Sequence, residues 1–119
     1  MKPLSFSYRR KNFSLEVQEC KNIFSKIRGL MFRRREKANA LILFNLKNPT
    51  KISIHSLFVF FPFLAIWLDD KNNFIDMKIV KPFLFSVSSK KPFYKLLEIP
   101  INKKYSKIIN FLDGNAKDL

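Results

Sequence analysis

Glycine is almost missing from this chain: Gly29 and Gly114 are the only two in 119 residues. A Walker loop, a dinucleotide-binding turn and a kinase phosphate loop each need several glycines close together, so none of them can be written here. One cysteine, Cys20, rules out an internal disulfide and a cysteine-rich zinc site. One histidine, His55, rules out any site built on two histidines. Acidic residues number nine, which leaves thin material for a carboxylate metal site. No metal and no organic cofactor is expected. The first residues contain no apolar run of signal-peptide length, and one free cysteine suits a reducing compartment. A cytoplasmic location is therefore expected.

What the chain has in quantity is aromatic carbon and positive charge. There are 14 Phe, three Tyr and one Trp, and apolar residues make up 47%. That composition argues against disorder and favours strands. The length suits one domain, taken as residues 1–119. The net charge is +14, and it is uneven. Residues 1–40 hold 11 basic and 3 acidic groups, 41–80 hold 4 and 3, and 81–119 hold 8 and 3. Such a surface attracts polyanions whether or not it was selected to do so. A Lys-, Asn- and Phe-rich composition produces the same excess with no nucleic-acid partner at all.

Alternation supplies the fold. Residues 3–8 and 13–19 read as a hairpin, with Phe13, Leu15 and Val17 alternating against polar neighbours. Asn22 can cap a short helix over 23–28 that Gly29 ends. Residues 33–37 form a charged loop, 40–44 a continuous apolar strand, and 45–51 a turn cluster. Residues 54–68 then run without a formal charge. This stretch is too short for a membrane helix and carries Pro62 near its centre. It reads as two buried strands, 52–59 and 64–69, bent at Pro62. A turn at 69–73 leads to a paired strand over 74–80. A polar loop covers 86–92, a further strand covers 93–99, and the tail carries a weak helical pattern at Tyr105, Ile108, Ile109 and Leu112. The expected fold is mainly β. It is a compact β-sandwich or partly closed barrel of about seven short strands, with one short helix near 22–29.

Several segments resemble the domain of unknown function 192 family. Residues 27–33, Ile-Arg-Gly-Leu-Met-Phe-Arg, are similar to that family's Arg-Gly-Leu-Met-Phe-Arg signature. Leu43-Phe44 and Ser53-Ile54-His55-Ser56 resemble its later strand and the Ser-Ile-His of archaeal-type members. Phe61-Pro62-Phe63, Ala65 to Asp69, Val80 to Phe83 and Leu97 to Pro100 continue the likeness, which covers about 13–114. The resemblance implies a small β domain and no particular activity. One departure stands out: the family pattern has Asp two residues after the proline, and this chain has Leu64.

The candidate binding residues are Arg28, His55, Glu98 and Lys81. Arg28 can hold an anion with its planar fork or pair with an internal acid. His55 offers an imidazole, a side chain suited to acid–base work, although a lone histidine is more often a hydrogen-bonded structural residue. Glu98, set among strand apolars, either points outward or is paired, with Arg28 or Lys81 as the expected partner. No catalytic residue is assigned. Met31 reads as core packing. Arg9, Arg10, Arg33, Arg34 and Arg35 are the candidate polyanion contacts. The rings alternate as core residues should, which argues against an exposed stacking platform. The chain therefore reads as a non-catalytic binding module for a small ligand or a protein. The alternatives are a basic nucleic-acid binder and a membrane-associated protein using residues 54–68.

Overall fold

The structure is a computed structural model that describes residues 1–20, 29–43 and 46–112. The six strands are β1 (Lys2–Tyr8), β2 (Lys11–Glu19), β3 (Leu41–Leu43), β4 (Phe63–Leu68), β5 (Phe74–Val80) and β6 (Lys95–Pro100). They form one mainly antiparallel sheet in the order β1-β2-β3-β6-β4-β5, with β2 and β3 parallel. The helix α1 (Ser106–Leu112) follows β6 after a short 3-10 turn. Mainly β, as the composition demanded, the sheet curls into a half-barrel.

Burial follows from strand order. β4 and β6 lie between other strands, and β4 is buried along its whole length. β4 reads as an unbroken apolar run because both of its faces are covered, whereas β6 has Glu98 among its apolar residues. β2 lies nearer an edge and keeps the alternation of a half-exposed strand, with Leu15 and Val17 inward and Ser14 and Glu16 exposed. The two edges of the curl meet. Ser7 pairs with Asn73, the Ser7 amide donates to the Asn72 carbonyl at 3.0 Å, and the Asn72 side chain donates to the Ser5 carbonyl at 3.0 Å. The β4–β5 turn that makes this contact is ordered by Asp69, whose Oδ1 accepts from the amides of Lys71 and Asn73, both at 2.8 Å. Burial works to raise the Asp69 pKa, yet these bonds prevail and hold it below its ordinary value.

The sheet carries an apolar core on each face. The inner core draws on all six strands, including Phe6, Val17, Ile42, Ile66 and Leu97, and one end is closed by Tyr105 of the 3-10 turn and by Ile109 and Leu112 of α1. The Tyr105 hydroxyl accepts from the Ala40 amide at 2.7 Å, and burial pushes its pKa up. Asn102 fixes the approach to α1: its side-chain nitrogen donates to the carbonyls of Arg35 and Ala38, and its oxygen accepts from the Tyr105 amide. The outer core takes Leu41, Phe63, Trp67 and Leu96 from the sheet and Leu30, Ala38, Ile54 and Phe93 from the loops.

Those loops form a ribbon that crosses the outer face. Residues 46–56 run antiparallel to 84–94, joined at Leu46–Tyr94, Thr50–Phe93, Ile54–Val87 and Ser56–Leu84. The expected strand at 52–59 is therefore replaced by this irregular ribbon and a turn at Ser56–Val59, which leaves six strands in place of about seven. The reason is local. Phe58 takes a left-handed φ of 60°, which breaks strand geometry. The inference that the rings are core residues is corrected as well: Phe32, Phe58, Phe60, Phe83, Phe85 and Phe111 are exposed. The helix expected over 23–28 lies outside the described residues. No helix among the described residues is long and apolar enough to cross a membrane.

Candidate functional site

Glu98 occupies the middle of β6, a central strand. Its cross-strand neighbours are Leu41 on β3 and Ala65 on β4, both members of the outer core. Leu97 and Ile99 on either side of it face the inner core. By alternation the Glu98 carboxyl therefore sits under the ribbon, at 5% exposure. Among the described residues no hydrogen bond or ion pair reaches it, and burial alone raises its pKa from 4.5 to about 8. At neutral pH this carboxyl is mostly protonated and able to donate.

Two residue pairs further along the same β6–β4 ladder stands Trp67, opposite Leu96. Trp67 and Glu98 are thus diagonal neighbours on one face, a separation of about 7–8 Å that long side chains span. Trp67 is fully buried against Phe93, with the Lys78 ammonium 5.9 Å from its ring centre. Its indole Nε1 has no hydrogen-bond partner among the described residues. Arg33 Nε, in the loop that carries Leu30 into the same outer core, is likewise buried without a partner. Buried polar groups are normally paired, so two unpaired nitrogens beside the buried Glu98 carboxyl mark this layer as unusual.

The remaining polar groups near β5 are satisfied. Asp76, opposite Trp67, accepts from the amides of Met77 and Lys90 at 2.8 and 2.9 Å. Lys78, opposite Ala65, donates through Nζ to the Ser88 carbonyl. Ser56 is fully buried and ties the two loops together. Its hydroxyl donates to the Lys81 carbonyl at 2.6 Å and accepts from the Leu84 amide at 2.7 Å.

The four residues named from sequence as a pocket are placed as follows. Glu98 lies under the ribbon, and Lys81 is exposed just beyond β5. His55 is half-buried beside Ser56, and its Nδ1 accepts from the Leu57 amide at 3.2 Å. Through Ser56 the structure brings His55 and Lys81 into one neighbourhood, but no hydrogen bond or ion pair among the described residues links either to Glu98. The expected Lys81 partner for Glu98 is therefore not found. Arg28 lies outside the described residues. Leu64 faces the inner core, opposite Ile99, and so occupies the other face of the sheet from Glu98.

The polyanion candidates divide between two ends of the sheet. Arg9 and Arg10 form the two-residue turn of the β1–β2 hairpin, beside the Asp69 turn. Arg33, Arg34 and Arg35 lie at the opposite end, where Arg35 Nε donates to the Ile101 carbonyl at 2.7 Å and the Ile101 amide donates to Pro62 at 3.1 Å. Sequence reading missed Trp67 as a polar group because it lies in an apolar run. It also missed Ser56 and Asn102, although an asparagine before Lys-Lys-Tyr is a recognisable cap signal. Among the described residues no three His, Cys, Asp or Glu side chains are grouped to hold a metal.

The profile of DUF192, described as Uncharacterized ACR, COG1430, matches residues 6–107. The chain belongs to this family. Among relatives of DUF192 type, the UPF0127 protein PF1050 of Pyrococcus furiosus is 32% identical over 92 residues, covering 76% of each chain. Two crystal structures share the fold. A protein of unknown function from Novosphingobium aromaticivorans superposes with a TM-score of 0.68 at 15% identity, over 89% of this chain and 76% of that one. A candidate transcription regulator from Sinorhizobium meliloti superposes with a TM-score of 0.72 at 12% identity, over 89% and 83%. At such identities the likeness speaks for the DUF192 fold alone.

Proposed function

We propose that this DUF192 member is a non-catalytic binding domain that holds a small oxygen-rich ligand on the outer face of its sheet, between Glu98 and Trp67. One observation carries the reading. A carboxyl and an indole N–H stand on diagonal positions of the same ladder, both buried, neither with a partner among the described residues. Leaving such groups unpaired costs about 1–3 kcal/mol each, which a fold keeps when something else completes the bonds. The indole donates, and a protonated Glu98 donates as well. The pair therefore suits an acceptor such as a carbonyl, carboxylate or phosphoryl oxygen.

The chain has one tryptophan, so its fluorescence reports on this position without ambiguity. Titration with a panel of short carboxylic acids, amides and phosphate monoesters is expected to give a saturable change in Trp67 emission with at least one class. Glu98→Gln is expected to weaken that response about tenfold or more while the protein stays folded. A flat titration across the panel, or unchanged affinity in Glu98→Gln, would end the reading.

A further inference from the structure

Five phenylalanine rings gather on the surface at the end of the sheet where β4 begins and β5 stops. Phe32, Phe58, Phe60, Phe83 and Phe85 are between 50 and 82% exposed. Phe32 stacks on Phe58 with centroids 5.3 Å apart, and Phe60 meets Phe83 edge-on at 5.4 Å. The backbone joins them too: the Phe32 amide donates to the Phe58 carbonyl and the Phe83 amide to the Ser56 carbonyl, both at 2.9 Å. Leu84, 40% exposed, lies between Phe83 and Phe85 in the chain and extends the apolar surface. Scattered exposed apolar residues need no explanation, but a contiguous group does.

Two further observations say what kind of explanation. Three of the rings sit at left-handed backbone, with φ of 61° at Phe32, 60° at Phe58 and 63° at Phe83. Asparagine or glycine would occupy such turns with less strain, and a bulky ring there is an outlier. Core packing does not account for phenylalanine at these turns, because each ring is at least half exposed. The charge around the rings is mainly positive: of the described charged residues within four positions of a ring, Arg33, Arg34, Arg35 and Lys81 are cationic and Glu36 is acidic. The occupant of this surface is therefore apolar at its centre and anionic around it.

We infer that this end of the molecule docks on an anionic membrane surface, with the rings entering the boundary between headgroups and acyl chains and the cations meeting lipid phosphates. This goes beyond the Glu98–Trp67 reading and does not depend on it. A single-stranded nucleic acid fits less well. Base-stacking platforms present open ring faces, whereas Phe32 and Phe58 cover one another and aliphatic Leu84 adds to the patch.

The test is co-sedimentation of the full chain with phosphatidylcholine vesicles containing phosphatidylserine, against vesicles of phosphatidylcholine alone. Binding is expected to the first, with a fall as salt is raised. The double substitution Phe58→Asn and Phe83→Asn removes two rings at turns that asparagine tolerates. It is expected to keep or raise the melting temperature while cutting vesicle affinity about a hundredfold, roughly tenfold per ring. Phe85→Ser, at ordinary backbone, supplies the same roughly tenfold loss should the turn variants fail to fold. Lys81→Ser and Arg34→Ser should each cost about fivefold. Absence of vesicle binding, binding that survives removal of the rings, or ring-dependent binding to single-stranded RNA in place of vesicles would overturn the inference. A merely structural role for the phenylalanines would show as lower stability in the asparagine variant with vesicle affinity unchanged.

Discussion

The two faces of one sheet are built to different standards. The inner core is completed by every strand and by α1, and its polar hydroxyl at Tyr105 is matched to the Ala40 amide. The outer core lies under an irregular ribbon. It holds a buried carboxyl and an indole N–H without partners among the described residues, beneath turns that force phenylalanine into left-handed backbone. Stability is concentrated where local choices agree, and conflicts between local preference and fold gather where a protein acts. On that contrast the inner face carries the fold, and the outer face with its loops is where we place recognition.

The largest effects should come from the inner face. Ile66→Ala or Leu97→Ala removes a fully buried side chain from the middle of the sheet and is expected to cost about 2–5 kcal/mol in denaturant unfolding. Phe85→Ser on the exposed patch should stay within about 0.5 kcal/mol. If the two prove equal, the division of labour between the faces is wrong. Next in size is the pH dependence of Glu98. Its pKa is raised in the folded protein from 4.5 to about 8, so the folded state holds a proton that the unfolded chain releases. The resulting stabilisation is complete below about pH 4.5 and is lost as pH rises through about 8. Urea unfolding should therefore show stability falling by a few kcal/mol between about pH 5 and about pH 9. Glu98→Gln, neutral at every pH, should flatten that slope, and an unchanged slope in the variant would remove Glu98 as its cause.

Much of this contrast was legible in the residues, but unequally. β1 and β2 follow from alternation, and β4 and β5 from an apolar run, a facing strand and the Asp69–Asn73 turn between them, since those signals are local. The ribbon was not legible. Residues 52–59 are as apolar as a strand, and only their pairing with 84–94 and the left-handed turn at Phe58 divert them. Exposed phenylalanines could not be told from buried ones by type, because composition fixes how much apolar material exists and not which side of a turn it faces. Glu98 was identifiable as a carboxylate among apolar neighbours. That it lacks the Lys81 partner depends on a strand register no single sequence displays.

A smaller effect tests how the inner face is closed. Tyr105→Phe leaves the Ala40 amide without its acceptor at a buried site and should cost about 1–3 kcal/mol. Hydrogen exchange at Ala40 should quicken with it. If the amide stays protected, another acceptor has replaced the hydroxyl, and α1 is less firmly tied to β3 than the 2.7 Å bond implies.

The smallest predicted effect sharpens the contrast most. Arg9 and Arg10 also occupy left-handed backbone, at φ of 50° and 64°, in the two-residue turn between β1 and β2. Asn-Gly is the pair that such a turn favours, so replacing Arg9-Arg10 with Asn-Gly should stabilise the protein by about 1 kcal/mol. The turn lies beside Asp69, at the other end of the sheet from the exposed rings. Vesicle affinity should therefore fall only as far as a loss of net charge requires, within about fivefold, far less than removal of two phenylalanines. Strain at this hairpin would then be incidental, whereas strain at Phe58 and Phe83 serves binding. If the Asn-Gly variant loses as much affinity as the ring variants, recognition is spread over the whole basic surface and the distinction between the two ends collapses.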